Sequence, residues 1–375
     1  MAAFCLVTAS FQKRLVRGFV ESSNNSDTQD LAPKNRVNIS RVIVRSVAGV
    51  LVSFFLTGIT RTTDAQDVIL PRKGAGYVLP DGTIRIVGAD ALEGVISTLN
   101  ALFMQLHPGV RLTYEKADNN GAIDALIFDA TPFAPLGAVY GGGIAYSDIV
   151  KASPFAIRLA HGSLNPKAKV SPLAVIVNPS NPLDRIRMTD VASIFSKPVR
   201  ARVFANWSQL ALKGIPAEPI EPAGLPWSDH YESEDHNFGE DVFFRKFGSA
   251  APVDNYRMFK TYAEVVDFVS REPGAIGIVE LNKVTPTVKV VGLVDGPFDT
   301  VRKASAEEIR SGHYPLDRYL YIQVRVQNGK PLDPLVRAYL MMSLSPKGQA
   351  AIAAESEGYL PLNTTELAEE RGRFD

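Results

Sequence analysis

From Thr83 onward, short apolar runs alternate with segments whose apolar residues recur at helical spacing, the pattern of an α/β architecture. Ile84-Arg85-Ile86-Val87-Gly88 reads as a strand. Leu92, Val95, Ile96, Leu99, Leu102, Phe103 and Leu106 then fall on one helical face across residues 91 to 106, and His107-Pro108-Gly109 stops that helix. Val110 to Tyr114 forms the next strand, followed by the polar loop Ala117-Asp118-Asn119-Asn120-Gly121 and a helix through Ile123, Leu126 and Ile127. Such a βαβ unit places a polar, Gly-containing loop at the carboxyl end of its second strand, the edge where open α/β sheets bind ligands.

Farther on, Leu173-Ala174-Val175-Ile176-Val177 is continuously apolar and predicts a strand covered on both faces. After the turn Pro179-Ser180-Asn181-Pro182, Met188-Thr189 opens a helix through Val191, Ile194 and Phe195, with Thr189 as its expected cap. Residues 213 to 239, rich in Pro, Gly, Asp and His, read as one long loop. A helix through Val265, Val266 and Val269 then leads by Pro273-Gly274 into the strand Ala275 to Val279.

Upstream of the α/β body, residues 10 to 40 are polar and lack an apolar period, which predicts disorder. Arg41 and Arg45, a 13-residue apolar run from Val47 to Ile59 and Thr63-Asp64-Ala65 have the order of a secretory signal peptide cut near Ala65. An uncleaved N-terminal anchor or a buried helix is the alternative, although a span needs roughly 20 apolar residues. The 40 residues ahead of the signal predict a translation start farther down, near Val42 or Val44. No cysteine follows the apolar core, which argues against a lipoprotein anchor; Cys5 is the chain's one cysteine, so no intramolecular disulfide forms.

At 375 residues with 46% apolar and 21% charged side chains, the chain can bury two cores. Forty basic and forty acidic residues cancel, and outside residues 1 to 65 the count is 32 against 36, so nucleic acid is not an expected partner. A soluble monomer fits this balance. No Gly-x-Ser-x-Gly elbow or His-Glu-x-x-His motif occurs, so no catalytic residue is assigned and no enzyme activity or cofactor is expected. His230, Asp235 and His236 fit no familiar metal spacing and read as part of an acidic loop, so no metal is assigned. Tyr140-Gly141-Gly142-Gly143 lacks the strand–helix context and the Lys of a phosphate loop, and reads as a flexible turn.

Several motifs occur in a telling order. They are Asn181-Pro182-Leu183, Ile194-Phe195, Asn206-Trp207, Gly274-Ala275-Ile276-Gly277-Ile278, Leu344-Ser345-Pro346-Lys347-Gly348-Gln349 and Gly358-Tyr359-Leu360-Pro361-Leu362. Together with Tyr314-Pro315-Leu316 leading into Tyr319-Leu320-Tyr321, the run from Thr83 to Asn363 resembles the phosphate-binding-protein-like (PstS-like) family of ABC-importer receptors. The resemblance implies a periplasmic-binding-protein type II fold, α/β, with two lobes joined by a two-strand hinge and the ligand cleft between them. Lobe I would comprise residues 83–171 and 286–363, lobe II residues 172–285, and residues 364–375 a C-terminal tail. It further implies a periplasmic or secreted solute-binding protein that takes phosphate or a related oxyanion and has an ABC permease as partner. A scaffold or signalling protein that kept the fold, and a phosphatase-like hydrolase, remain as alternative readings.

By the same resemblance four loops would hold the ligand. The first is Ala89, Asp90 and Ala91, where Asp90 either caps a helix or accepts from a proton or amine on the ligand. The second is Asn119, Asn120 and Gly121, read either as an anion cradle of backbone N–H groups or as a plain capping turn. In the third, Thr131 is the hydroxyl donor and the family's arginine has no counterpart. The fourth offers His236, Asn237 and Gly239 inside a nine-residue stretch with four carboxylates, Glu232 to Glu240, which repels phosphate and is otherwise a solvated acidic loop.

Overall fold

β1 (Ile84–Ala89) and β2 (Leu112–Ala117) pair in parallel, Ile84 opposite Leu112 and Ala89 opposite Ala117. Between them runs α1 (Glu93–Leu106), entered through a 3₁₀ turn at Asp90–Leu92. Its apolar stripe is buried at Val95, Ile96, Leu99, Leu102 and Phe103, and Gly109 takes the positive φ of 103° that turns the chain into β2. α2 (Asn119–Ile127) follows β2 directly.

The computed structural model describes residues 69–139, 152–197, 202–210, 217–228, 230–249, 251–327 and 331–374. The polar N-terminal stretch, the apolar run Val47–Ile59 with its expected cut near Ala65, Cys5 and the Tyr140–Gly143 turn lie outside these residues. Among the described residues, no helix is long and apolar enough to cross a membrane.

Two larger sheets carry the main cores. One is antiparallel, ordered β14-β4-β13-β3, from β3 (Phe133–Leu136), β4 (Ala152–Ser163), β13 (Tyr319–Gln327) and β14 (Tyr359–Leu360). The other is mixed, ordered β10-β5-β9-β7-β8, from β5 (Leu173–Val177), β7 (Glu221–Gly224), β8 (Arg257–Met258), β9 (Ala275–Glu280) and β10 (Lys289–Val290). A three-stranded sheet joins β6 (Arg185–Arg187), β11 (Gly292–Val294) and β12 (Val301–Arg302). Every residue of β5 and of β9 is buried, as a doubly covered strand requires. Around them Ile194, Phe195, Trp207, Val265 and Val269 complete one core, while Leu99, Phe103, Ile157, Ile322 and Tyr339 belong to a second beside the antiparallel sheet. A small third cluster lies under α2 at Ala122, Ile123 and Leu126.

Two local expectations change. α3 (Met188–Phe195) has Arg187 at its N-cap and no side-chain cap; Thr189 lies inside the helix. The pairing of β6 with β11 through Arg187 delivers the chain into the helix, so the sheet rather than a hydroxyl sets its start. The stretch 213–239 is not all loop, because β7 lies between β9 and β8. Glu221 donates to the Gly274 carbonyl, so the missing N–H of Pro222 faces the other side, where the short β8 pairs only with Ala223 and Gly224.

In the later helices, residue chemistry sets the caps. α4 (Tyr262–Arg271) opens with a Thr261–Glu264 capping box. After α5 (Ala306–Arg310), α6 (Pro334–Ser343) and α7 (Pro346–Ala354) each begin with Pro behind a capping Asp333 or Ser345. Gly348 of α7 packs so closely that any Cβ would collide with the backbone carbonyls of Met342 and Ser343, which explains the Gly of Ser-Pro-x-Gly. The stretch set apart as a tail contains α8 (Thr364–Gly372), whose Glu366 and Glu370 are buried against Arg158 of β4.

Candidate functional site

A cleft of about 1100 Å³ opens at the carboxyl ends of β1, β2 and β3. One wall is built there. Tyr114 donates to the Ala89 carbonyl at 2.7 Å and fixes the turn out of β1, and Gly88 leaves the room for it, since a Cβ would come within 2.5 Å of the Tyr114 hydroxyl and 2.8 Å of Pro135. Asp118 caps α2, accepting from the Gly121 N–H at 2.6 Å, which leaves the N–H groups of Asn119 and Asn120 in the unpaired first turn. Lys167 and Lys169 stand on this wall. Asp90 is not a cap: it pairs with Lys169 and lies 3.7 Å from Lys116, and the Lys169 partnership holds its carboxyl below the usual range.

The opposite wall comes from Trp227, Ser228 and lining residues within 234–244, with Tyr262, Glu280, Lys283 and Arg318. Its backbone is tightly built. Gly239 starts a π-helical segment, Gly239–Lys246, closed by the Phe247 N–H on the Val242 carbonyl, and a Cβ on Gly239 would collide with the Trp227 carbonyl. Phe238 and Phe243, buried, anchor that segment to the core. The walls meet where the Asn119 side-chain amide donates to Asn237 Oδ1 at 2.9 Å.

At the base lies a charged cluster. Buried Arg318 reaches Asp235 at 2.9 Å, Asp241 at 2.8 Å and Glu280 at 3.2 Å, and Tyr262 donates to Asp235 at 2.7 Å. Burial works against the guanidinium charge, yet these carboxylates keep it firmly protonated. Burial pushes Glu280 up to about 7, with Arg318 opposing and Asp235 adding to the rise, and burial also lifts Asp241. Asp235 is the carboxylate that stays depressed, because Arg318, Tyr262 and the Asn237 N–H outweigh its burial.

Of the residues singled out in the sequence, Ala89, Asp90, Ala91, Asn119, Asn120, His236, Asn237 and Gly239 line the cleft. Gly121 does not, and its N–H is taken by Asp118. Thr131 also lies outside the lining: it is fully buried, accepts from the Val87 N–H at 3.0 Å and donates to the Phe133 carbonyl at 2.6 Å. The acidic loop divides, with Glu234, Asp235 and Glu240 on the cleft and Glu232 paired to Lys260 away from it. Sequence reasoning missed Lys167, Lys169, Trp227, Glu280, Lys283 and Arg318. The Lys-x-Lys spacing at 167–169 ahead of a buried strand was the available signal. Among the described residues, no three His, Cys, Asp or Glu side chains are placed to hold a metal.

Residues 75–347, well over half of the chain, match the family model described as a PBP superfamily domain. The chain is 26% identical over 310 residues to the phosphate-binding protein PstS of Pseudomonas aeruginosa, covering 81% of this chain and 90% of the relative. The crystal structure of PstS from Borrelia burgdorferi superposes with a TM-score of 0.52 at 17% identity, covering 75% of this chain and 99% of that one. An ABC-type phosphate transport receptor from Vibrio cholerae gives a TM-score of 0.49 at 16% identity, with 74% and 99% covered. The chain belongs to the PBP superfamily domain family and has the α/β fold of the type II periplasmic binding proteins.

Proposed function

We propose that the protein is the extracytoplasmic solute receptor of an ABC importer and captures a small oxyanion, phosphate or a chemical relative, in this cleft. The observation that carries the reading is the first wall: the N-terminus of α2, with Lys167 and Lys169, presents N–H groups and positive charge at the carboxyl edge of a parallel strand pair. The relatives named above are binding proteins for phosphate, which supports capture rather than catalysis. In this proposal residues 83–171 with 286–363 and residues 172–285 act as the two lobes, a permease receives the loaded form, and the apolar run 47–59 directs export.

Thermal unfolding of the purified protein with phosphate, sulfate and phosphonates at pH 5 and pH 8 tests the reading. A bound anion at a hundredfold excess over Kd adds roughly 2.7 kcal/mol, seen as a saturable rise in Tm. Absence of a shift with every anion at both pH values overturns it. The carboxylate excess on the second wall favours one other reading, in which the fold serves a partner protein, and that flat response is what such a protein would give.

A further inference from the structure

Glu280, the last residue of β9, is 5% exposed and stands at the base of the cleft. It clasps the segment by which the chain passes from β4 to β5. Glu280 Oε1 accepts from the Ser171 N–H at 3.2 Å, and Asn282, two residues on, donates to the carbonyls of Asn165 and Ala168. Its other contact is Arg318, just ahead of β13.

Three carboxylates divide the Arg318 guanidinium unequally. Asp241 accepts from Nε at 2.9 Å and Nη2 at 2.8 Å. Asp235 has Nη1 at 2.9 Å and the Tyr262 hydroxyl at 2.7 Å on Oδ2, and the Asn237 N–H at 3.0 Å on Oδ1. Glu280 takes only Nη1, at 3.2 Å, on the same Oε1 that accepts from Ser171. Its Oε2 has no donor among the described residues. Lys283 attracts Glu280 without a hydrogen bond, and Asp235 repels it.

Three carboxylates against one guanidinium leave a surplus of two negative charges at a buried place, which favours protonating one of them. Hydrogen bonding selects which. Glu280 can carry a proton on Oε2 while Oε1 keeps the Ser171 N–H, whereas Asp235 is bonded on both oxygens and Asp241 holds two guanidinium N–H groups. Burial pushes Glu280 up to about 7, in agreement. The α2 end, Lys167 and Lys169 line the same cleft. Two like charges about 10 Å apart, at an effective dielectric of about 20, disfavour each other by roughly one pH unit.

We propose that capture of the oxyanion is coupled to uptake of a proton from solvent onto Oε2 of Glu280. Neutralising Glu280 leaves Arg318 between two charged carboxylates, so the anion's charge is not added to the full surplus. This rests on the oxyanion-receptor reading above and specifies how its acidic wall tolerates the ligand. Binding and protonation favour each other reciprocally, so affinity is highest at low pH and is lost as pH rises through the bound-state value.

Calorimetric titration of the purified protein with inorganic phosphate and with sulfate at pH 7.5, in two buffers of different ionisation enthalpy, counts the protons taken up. Sulfate exchanges no proton in this range; for phosphate, subtracting the result for Glu280→Gln removes the ligand's own share. Rising by about one pH unit from about 7, Glu280 is expected to take up about half a proton per anion. Affinity for sulfate is expected to fall roughly sixfold from pH 6.5 to 8.5, and Glu280→Gln to abolish that fall. Equal uptake in wild type and Glu280→Gln, whether zero or supplied by another cleft group such as His236, overturns the proposal and leaves the oxyanion reading standing. No binding of either anion overturns both. Should Glu280→Gln not fold, infrared difference spectra of the wild type decide: addition of anion is expected to bring up a protonated-carboxyl band, and its absence overturns the coupling.

Discussion

His161 is fully buried between two carboxylates, Asp317 at 2.6 Å from Nδ1 and Glu366 at 3.0 Å from Nε2. Burial disfavours the imidazolium, but the two partners outweigh it and push the ring from 6.5 up to about 9. A pKa raised on folding stabilises fully below the unfolded value and is lost as pH rises through the folded one, here between 6.5 and about 9. At about 1.4 kcal/mol per pH unit, the loss is on the order of 3 kcal/mol. Glu280 follows the same sign in a lower window, from 4.5 to about 7, because burial raises it. The contributions of these two groups should therefore fall in two stages as pH increases, Glu280 first and His161 second. Urea unfolding should show His161→Gln costing most near pH 6 and progressively less by pH 9.5, while Glu280→Gln flattens the fall between pH 4.5 and 7. A His161→Gln deficit that stays constant from pH 6 to 9.5 would show that the ring is neutral throughout.

At the level of elements, the π-helical segment Gly239–Lys246 and the loop before it form the wall that the sequence described least well. The Cβ of Gly239→Ala would collide with the carbonyl of Trp227, a backbone atom that cannot swing aside as a flexible side chain would. Overpacking of this kind costs about 1–3 kcal/mol. The substitution should lower Tm accordingly and weaken ligand binding by displacing Trp227; an unchanged Tm with unchanged affinity would mean that the wall yields freely. α1 and α4 were legible because each needs only its own apolar spacing, and Thr261-x-x-Glu264 marks a helix start by local chemistry. Ala89 to Ala91 and Asn119 to Asn120 were legible as cleft lining for a related reason: the carboxyl ends of parallel strands face the crevice of an open sheet whatever the side chains. Arg318 was not. In Leu316-Asp317-Arg318-Tyr319 it looks like a polar strand entry, and its burial is dictated by Glu280 and Asp241, 38 and 77 residues away. Asp90 misled for the converse reason, since helix-start position suggested a cap while its real partner Lys169 lies 79 residues on.

At the scale of the whole molecule, contacts among the described residues that tie the cleft walls to each other include the Asn119–Asn237 amide bond, Arg245 donating to the Val139 carbonyl and Asn282 donating to the Ala168 carbonyl, with the Arg318 cluster bracing the base. Strand ladders and buried cores resist deformation, so binding energy is best spent at these contacts, as in hinge closure around a ligand. The chain's two tryptophans report on the two regions separately. Trp207 is fully buried and donates to the Gly274 carbonyl at 3.1 Å, inside a core that the proposed closure would leave intact. Trp227 stands on the cleft wall, where a bound ligand and the approaching opposite wall would strip its water. Saturating ligand should therefore shift the emission of the protein, and Trp207→Phe should keep the shift while Trp227→Phe removes it. Persistence of the shift in Trp227→Phe would instead place the conformational change in the core around Trp207, and closure of the cleft as described would be wrong.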